Sequence, residues 1–181
     1  MVLTWSQDVY QTAMSYAATA HGDQKVPGRP YSYIVHIAEV AMEVIASLAV
    51  ETVEESDLAV QCALLHDVIE DTDRTYEDVR SNFGGRVADG VLALSKDFNL
   101  PKSEQMPDSL RRILTQPKEV QMVKLGDRIT NMQEPPPEWT REKQIAYRAD
   151  AELILEKLKN SSPYLAARLE KKISGYFEFV L

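Results

Sequence analysis

Apolar residues recur three and four positions apart along nearly all of this chain, and a chain patterned that way must bury helical stripes against one another. Alternating runs of Val, Ile and Thr are few, and only 7 glycines stand among 181 residues, which leaves little that suits a sheet. Thr4 or Ser6 can cap a first helix whose stripe includes Val9, Ala13, Tyr16, Ala17 and Ala20. That helix ends near His21-Gly22, where glycine accepts the backbone of a helix terminus. The same pattern predicts helices from about Tyr33 to Leu48, from about Glu55 to Asp71, and over Tyr76–Asn82 behind a Thr75 cap. Further helices are expected from Arg86 to Ser95, from Pro117 to about Met132, from Thr140 to about Leu158, and from Ser162-Pro163 onward. Lys25–Pro30 reads as a basic turn, and residues 96–107 as a long loop carrying Lys96 and Lys102. The expectation is one all-α domain, a helical bundle over residues 1–181.

One stretch is too polar for its place in that pattern. Directly after the apolar run Cys62-Ala63-Leu64-Leu65 come His66-Asp67-Val68-Ile69-Glu70-Asp71. Positions four apart share a helix face, so His66 is expected over Glu70 and Asp67 over Asp71, with Ala63, Leu64, Val68 and Ile69 turned inward. Carboxylates packed this densely repel one another unless a cation sits among them or some stay protonated. An imidazole beside them makes a good ligand set for a divalent metal of intermediate hardness. The bland alternative is a solvated acidic helix end.

Composition narrows the partners. Twenty basic against 28 acidic residues give a net charge of −8, which argues against a general nucleic-acid binder but not against an anionic small substrate held at a local cation. The single cysteine, Cys62, excludes an internal disulfide and stands in an apolar run as a buried thiol. No stretch reaches the roughly 18 apolar residues of a membrane span, and the N-terminus lacks the basic and apolar blocks of a signal peptide, so a cytoplasmic protein is expected.

Only three histidines are available. His36 lies in the apolar helix Tyr33-Ile34-Val35-His36-Ile37-Ala38, where alone it would be a hydrogen-bonded core residue. Asp127 lies in the apolar run Met122–Arg128, costly to bury unless bound to a metal or paired with Lys124 or Arg128. His21 at a helix end is left out of the site. The set His36, His66-Asp67, Asp127 is more specific than any member of it, and it is similar to the ligand pattern of the HD superfamily of metal-dependent phosphohydrolases. Tyr33-Ile34-Val35-His36, Ala63–Thr72, Phe83-Gly84, Leu100-Pro101-Lys102 and Lys124–Met132 resemble, further, the (p)ppGpp hydrolase domain of the RelA/SpoT family, from about Ala20 to Leu158. The length leaves no room for a synthetase domain, so the resemblance is to the small, stand-alone alarmone hydrolases.

The resemblance implies that His36, His66, Asp67 and Asp127 hold one Mn²⁺, and that Glu70 and Asp71 orient and deprotonate the attacking water. The implied reaction removes the 3′-pyrophosphate of (p)ppGpp by metal-activated water, giving GDP or GTP and pyrophosphate. Lys102, Lys143, Tyr147 and Asn131 match positions that contact phosphate or nucleotide, although an exposed helix face is the plainer reading of Lys143 and Tyr147. The chain departs from the family at Val26, where an arginine that packs on guanine is usual; Lys25 or Arg29 is the available substitute, and lysine stacks less well than guanidinium. Ile37 replaces the usual proline, Gly126 the usual alanine, and Gln133 a usual arginine. None of these removes a metal ligand; they bear on base specificity. The competing expectations are another nucleotide or NADPH 2′-phosphatase on the same scaffold, and a nucleotide-sensing module without turnover.

Overall fold

A computed structural model describes residues 5–180. Among them are eleven helices and no strand; the only β pairing is an isolated bridge between Lys25 and Ser32. In chain order they are α1 (Gln7–His21), α2 (Ile34–Leu48), α3 (Ser56–Leu65), α4 (Val68–Asp71), α5 (Tyr76–Phe83), α6 (Gly85–Leu94), α7 (Lys102–Ile113), α8 (Lys118–Asn131), α9 (Arg141–Leu158), α10 (Pro163–Gly175) and α11 (Phe177–Val180). No helix among the described residues is long and apolar enough to cross a membrane.

Helix starts follow the side chains expected to set them. The hydroxyls of Ser6, Thr140 and Ser162 accept from the backbone N–H groups of Val9, Lys143 and Leu165. Thr75 and Asp78 form a reciprocal capping box at α5. Gly22, with φ of +49°, ends α1 and donates its N–H to the carbonyl of Ala18. Thr4, the other candidate cap, lies outside the described residues.

Two helices form the centre. In α3, Leu58 to Leu65 are buried but for Gln61, and the helix packs on α1, α2, α6 and α8. In α8, eleven residues are buried, against α2, α3, α9 and α10. These contacts bury Ile37, Leu64, Leu65, Met122, Leu125 and Ile129 completely, each worth about 1.5–3 kcal/mol relative to exposure. Cys62 is buried within this core, its thiol pushed up to about 12 by desolvation.

Two expectations need correcting. The helix predicted from Glu55 to Asp71 is broken at His66-Asp67 into α3 and α4. The Nδ1 of His66 lies 2.9 Å from the carbonyl oxygen of Ala63, the acceptor that an unbroken helix would give to the N–H of Asp67. Asp67 accordingly sits at φ −102°, ψ 0°, off the regular helix. The loop predicted over 96–107 stops at Pro101, because α7 takes Lys102–Pro107. Pro107 sits inside α7 and forgoes one backbone bond, but Met106, Ser109, Leu110 and Ile113 bury one face of the helix. Arg112 ties α7 to the end of α6 by donating to the carbonyls of Leu92, Ala93 and Ser95 at 2.6, 3.1 and 2.7 Å.

Gly90 marks the tightest crossing: a Cβ there would lie 2.8 Å from Cys62 Sγ and 2.9 Å from Val120 Cγ2. Gly90→Ala is expected to destabilise the fold by about 1–3 kcal/mol through overpacking. Urea unfolding reads this directly, and an unchanged midpoint would contradict the packing of α6 on α3 and α8.

Candidate metal centre

The break between α3 and α4 turns His66 and Asp67 toward side chains from α2 and α8. His36 Nε2 lies 3.3 Å from His66 Nε2, 3.6 Å from Asp67 Oδ2 and 3.6 Å from Asp127 Oδ1. His66 Nε2 is 2.8 Å from Asp67 Oδ2 and 3.9 Å from Asp127 Oδ1. Two imidazole nitrogens and two carboxylate oxygens from three places in the sequence thus face one small space, the His36, His66 and Asp67 donors all lying within 4.8 Å of one another, and both rings are buried. The donor chemistry fits a divalent ion of intermediate hardness, with capacity left over for water or a phosphate oxygen.

Neighbouring groups hold each donor. The Ala63 carbonyl accepts from His66 Nδ1–H, which turns the Nε2 atom to the centre. The hydroxyl of Tyr33 donates to Asp67 Oδ2 at 2.6 Å, and Lys124 Nζ donates to Asp127 Oδ2 at 2.9 Å. Asn131 Nδ2 donates to Asp127 Oδ1. The Lys124 ion pair, offered by the sequence as an alternative to a metal, is therefore present, but it occupies one oxygen of Asp127 and leaves the other at the centre. Arg128 makes no such pair; its guanidinium lies 4.2 Å from the centroid of the Tyr147 ring. Gly126 lets α8 approach α2, since a Cβ there would meet Val44 Cγ2 at 3.3 Å.

The charges are strongly coupled. Burial disfavours the charged His66 ring, but Asp67 and Asp127 outweigh it and lift this histidine to about 9. Burial also opposes ionisation of Asp127, yet Lys124 and the two histidines hold it well below the usual carboxylate range. Asp67 moves the same way, against its own burial, through His66 and His36. The carboxylates that would hold a divalent ion thus also favour a proton on His66.

Of the remaining sequence candidates, Glu70 is fixed at both oxygens by Lys96, through Nζ at 2.7 Å and the backbone N–H at 2.7 Å. Asp71 accepts from Gln24 at 3.4 Å, and its carboxyl is raised by burial, then by Asp67 and Glu70. Arg29, Asn131 and Tyr147 line a cleft that also exposes His36, with Trp139, Tyr31 and Val26 among its walls. Lys143 is not among the lining residues, but its Nζ lies 4.0 Å from the ring centroid of Trp139, which is. Lys25 and Lys102 are exposed and line no part of the cleft. Tyr33 and Lys96 join the site only through the structure: Tyr33 lies in a motif shared with the family and Lys96 in a lysine-bearing loop, and no sequence signal assigns either to a carboxylate partner.

Because metal uptake must displace the His66 proton, affinity for a divalent ion is expected to rise about tenfold per pH unit between 7 and 8, with about one proton released. Calorimetry in buffers of different ionisation enthalpy measures both quantities. In the metal-free protein, the folded ring keeps its proton up to about 9 whereas an unfolded histidine loses it near 6.5. This pair's contribution to stability is therefore complete below 6.5 and lost as pH rises through 9, which urea titrations against pH would register. Tyr33→Phe, which removes the donor to Asp67, is expected to weaken metal binding about tenfold or more.

The HD domain family matches residues 13–161. A Drosophila melanogaster protein named guanosine-3′,5′-bis(diphosphate) 3′-pyrophosphohydrolase MESH1 is 27% identical, over 93% of this chain and 94% of its own. The Danio rerio protein of the same name is 29% identical, over 95% and 94%. An Aquifex aeolicus guanosine-3′,5′-bis(diphosphate) 3′-pyrophosphohydrolase is 36% identical, but the match covers 67% of this chain and only 17% of that protein. A solved structure of a metazoan ortholog of SpoT superposes with a TM-score of 0.82 over 96% of this chain and 98% of that one, at 24% identity, a likeness of fold. With the family match extending from within α1 to beyond α9, this chain belongs to the HD domain family.

Proposed function

We propose that this chain is a Mn²⁺-dependent 3′-pyrophosphohydrolase of guanosine 3′,5′-bis(diphosphate) and its pentaphosphate form, acting as a single HD-type domain in the cytoplasm. The observation that carries the proposal is the convergence of His36, His66, Asp67 and Asp127 beside an aromatic cleft onto which His36 opens. The names of the fly and fish relatives, which align nearly end to end with this chain, supply the substrate class. A divalent ion held by those four residues would supply a Lewis acid for phosphate and lower the pKa of water near neutral pH.

The chain's own groups divide the remaining work. Glu70, held by Lys96 at both oxygens, orients water. Asp71, raised toward neutrality by burial and by its acidic neighbours, accepts the water's proton. The water oxygen bonds to the phosphorus carried on the 3′ oxygen as the bond from phosphorus to that oxygen breaks; the 3′ oxygen leaves with a proton as the nucleotide's hydroxyl, and pyrophosphate carrying the water oxygen is released. Arg29 and Lys143 offset phosphate charge at the cleft, and Tyr147, with Trp139 in edge contact at 5.0 Å, offers a face to the base. Asn131 orients Asp127 and touches the same cleft. Lys25 and Lys102 remain candidates for longer-range attraction of the anion.

A second reading keeps the site and changes the substrate. Val26 lines the cleft where a stacking arginine is usual, and Arg29 donates instead to the Glu134 carbonyl at 3.2 Å. Another nucleotide or NADPH 2′-phosphate ester would then be cleaved, with release of orthophosphate.

Product analysis separates the two. The Mn²⁺-loaded protein is expected to release pyrophosphate from guanosine 3′,5′-bis(diphosphate), and EDTA to abolish that release. Asp67→Ala is expected to lose both metal and turnover. Asp71→Asn is expected to lower kcat by roughly 10²- to 10⁴-fold, as for loss of a general base. Since the Asp71 carboxyl is raised, wild-type kcat/KM should fall on the acid side as this group protonates. Orthophosphate as the sole product would reject the 3′-pyrophosphohydrolase.

A further inference from the structure

We infer that Glu39 reads the base of the bound nucleotide and selects guanine over adenine. The inference rests on the nucleotide hydrolase reading above and assigns its base specificity, which Val26 leaves open. Glu39 stands one turn after His36 on α2, half-buried, and lines the cleft with Tyr31, Arg29, Pro136, Trp139 and Tyr147. The position is rigid: Ile37, Val40, Ala41 and Val44 of the same helix are fully buried.

Its charge is not taken up by the protein. Glu43, one turn further along α2, is buried and clasped by Arg168 through Nε and Nη2. Glu39 makes no hydrogen bond or ion pair among the described residues. Neither nearby cation pairs with it: Arg29 donates to the Glu134 carbonyl and Lys143 lies over the Trp139 ring. An unneutralised carboxylate repels phosphate, so this wall of the cleft suits the donor-rich end of a nucleotide. Trp139 and Tyr147 line the cleft, and a base can lie against the ring surface that Lys143 and Arg128 do not cover.

Carboxylate and guanine match atom for atom. An ionised carboxylate only accepts hydrogen bonds, through two oxygens. The Watson–Crick edge of guanine presents two adjacent donors, N1–H and the 2-amino group. Adenine presents one donor, its 6-amino group, next to the N1 lone pair, which would face a carboxylate oxygen. The paired contact therefore attracts one purine and repels the other, a discrimination of about ten- to hundredfold for a well-formed bidentate pair.

The experiment compares the metal-loaded protein with its isosteric variant Glu39→Gln. Calorimetry measures binding of GDP and ADP, and initial rates give kcat/KM on the guanosine and adenosine 3′,5′-bis(diphosphates). The wild type is expected to bind GDP about ten- to hundredfold more tightly than ADP, and E39Q to bring the two within about threefold, chiefly by weakening GDP. In turnover the change should appear in KM for the guanosine substrate more than in kcat. Equal affinity for GDP and ADP in the wild type, or a preference that survives in E39Q, overturns the role of Glu39. Selective binding that E39Q abolishes, with turnover of neither bis(diphosphate), supports Glu39 while rejecting the hydrolase reading.

Discussion

Two imidazoles and two carboxylates share a space only a few ångströms across, and that arrangement is tolerable only with positive charge among them. A divalent ion among these donors would meet the requirement, and the same carboxylates favour a proton on His66. Much of the surrounding structure can be read as the means of holding those atoms together against their mutual cost. The Ala63 carbonyl fixes the His66 ring, Tyr33 and His66 share one oxygen of Asp67, and Lys124 and Asn131 divide the two oxygens of Asp127.

The break between α3 and α4 is the backbone side of the same device. A straight helix would direct the Ala63 carbonyl at the N–H of Asp67 and leave His66-Asp67 on a continuing polar stripe. Drawing that carbonyl to the His66 ring instead bends the chain where the two central donors must diverge from α3. The core behind it supplies the stiffness, since α2, α3 and α8 bury their apolar faces in one another and Gly126 admits the close approach of α8 to α2.

Charge is distributed unevenly around this centre. Lys96 neutralises Glu70, Lys124 neutralises half of Asp127, and Arg168 neutralises Glu43. Asp71 and Glu39 have no cation partner among the described residues, one raised by burial and its acidic neighbours and the other beside aromatic walls. Groups held this way are available to a ligand: one for a proton, the other for a pair of donors. Arg128, buried over the Tyr147 ring, joins the helix that carries Asp127 to the helix that walls the cleft.

The sequence by itself determined the all-α class and most helix starts, while its resemblance to the HD superfamily singled out the four residues that converge. Apolar spacing, cap residues and the rarity of His and buried Asp are local signals, each legible without knowing what lies opposite. Only the tertiary structure decided the break at His66-Asp67, the helix over Lys102–Pro107, and the partners Tyr33–Asp67 and Lys96–Glu70. It likewise set Arg128 on Tyr147 rather than on Asp127, and left Lys25 and Lys102 away from the cleft. The physical reason is common to all of these. A helix break won by a side chain, a proline tolerated because its neighbours bury, and a lysine drawn to one carboxylate among many each depend on competition between groups distant in sequence, and only the packed chain brings those competitors together.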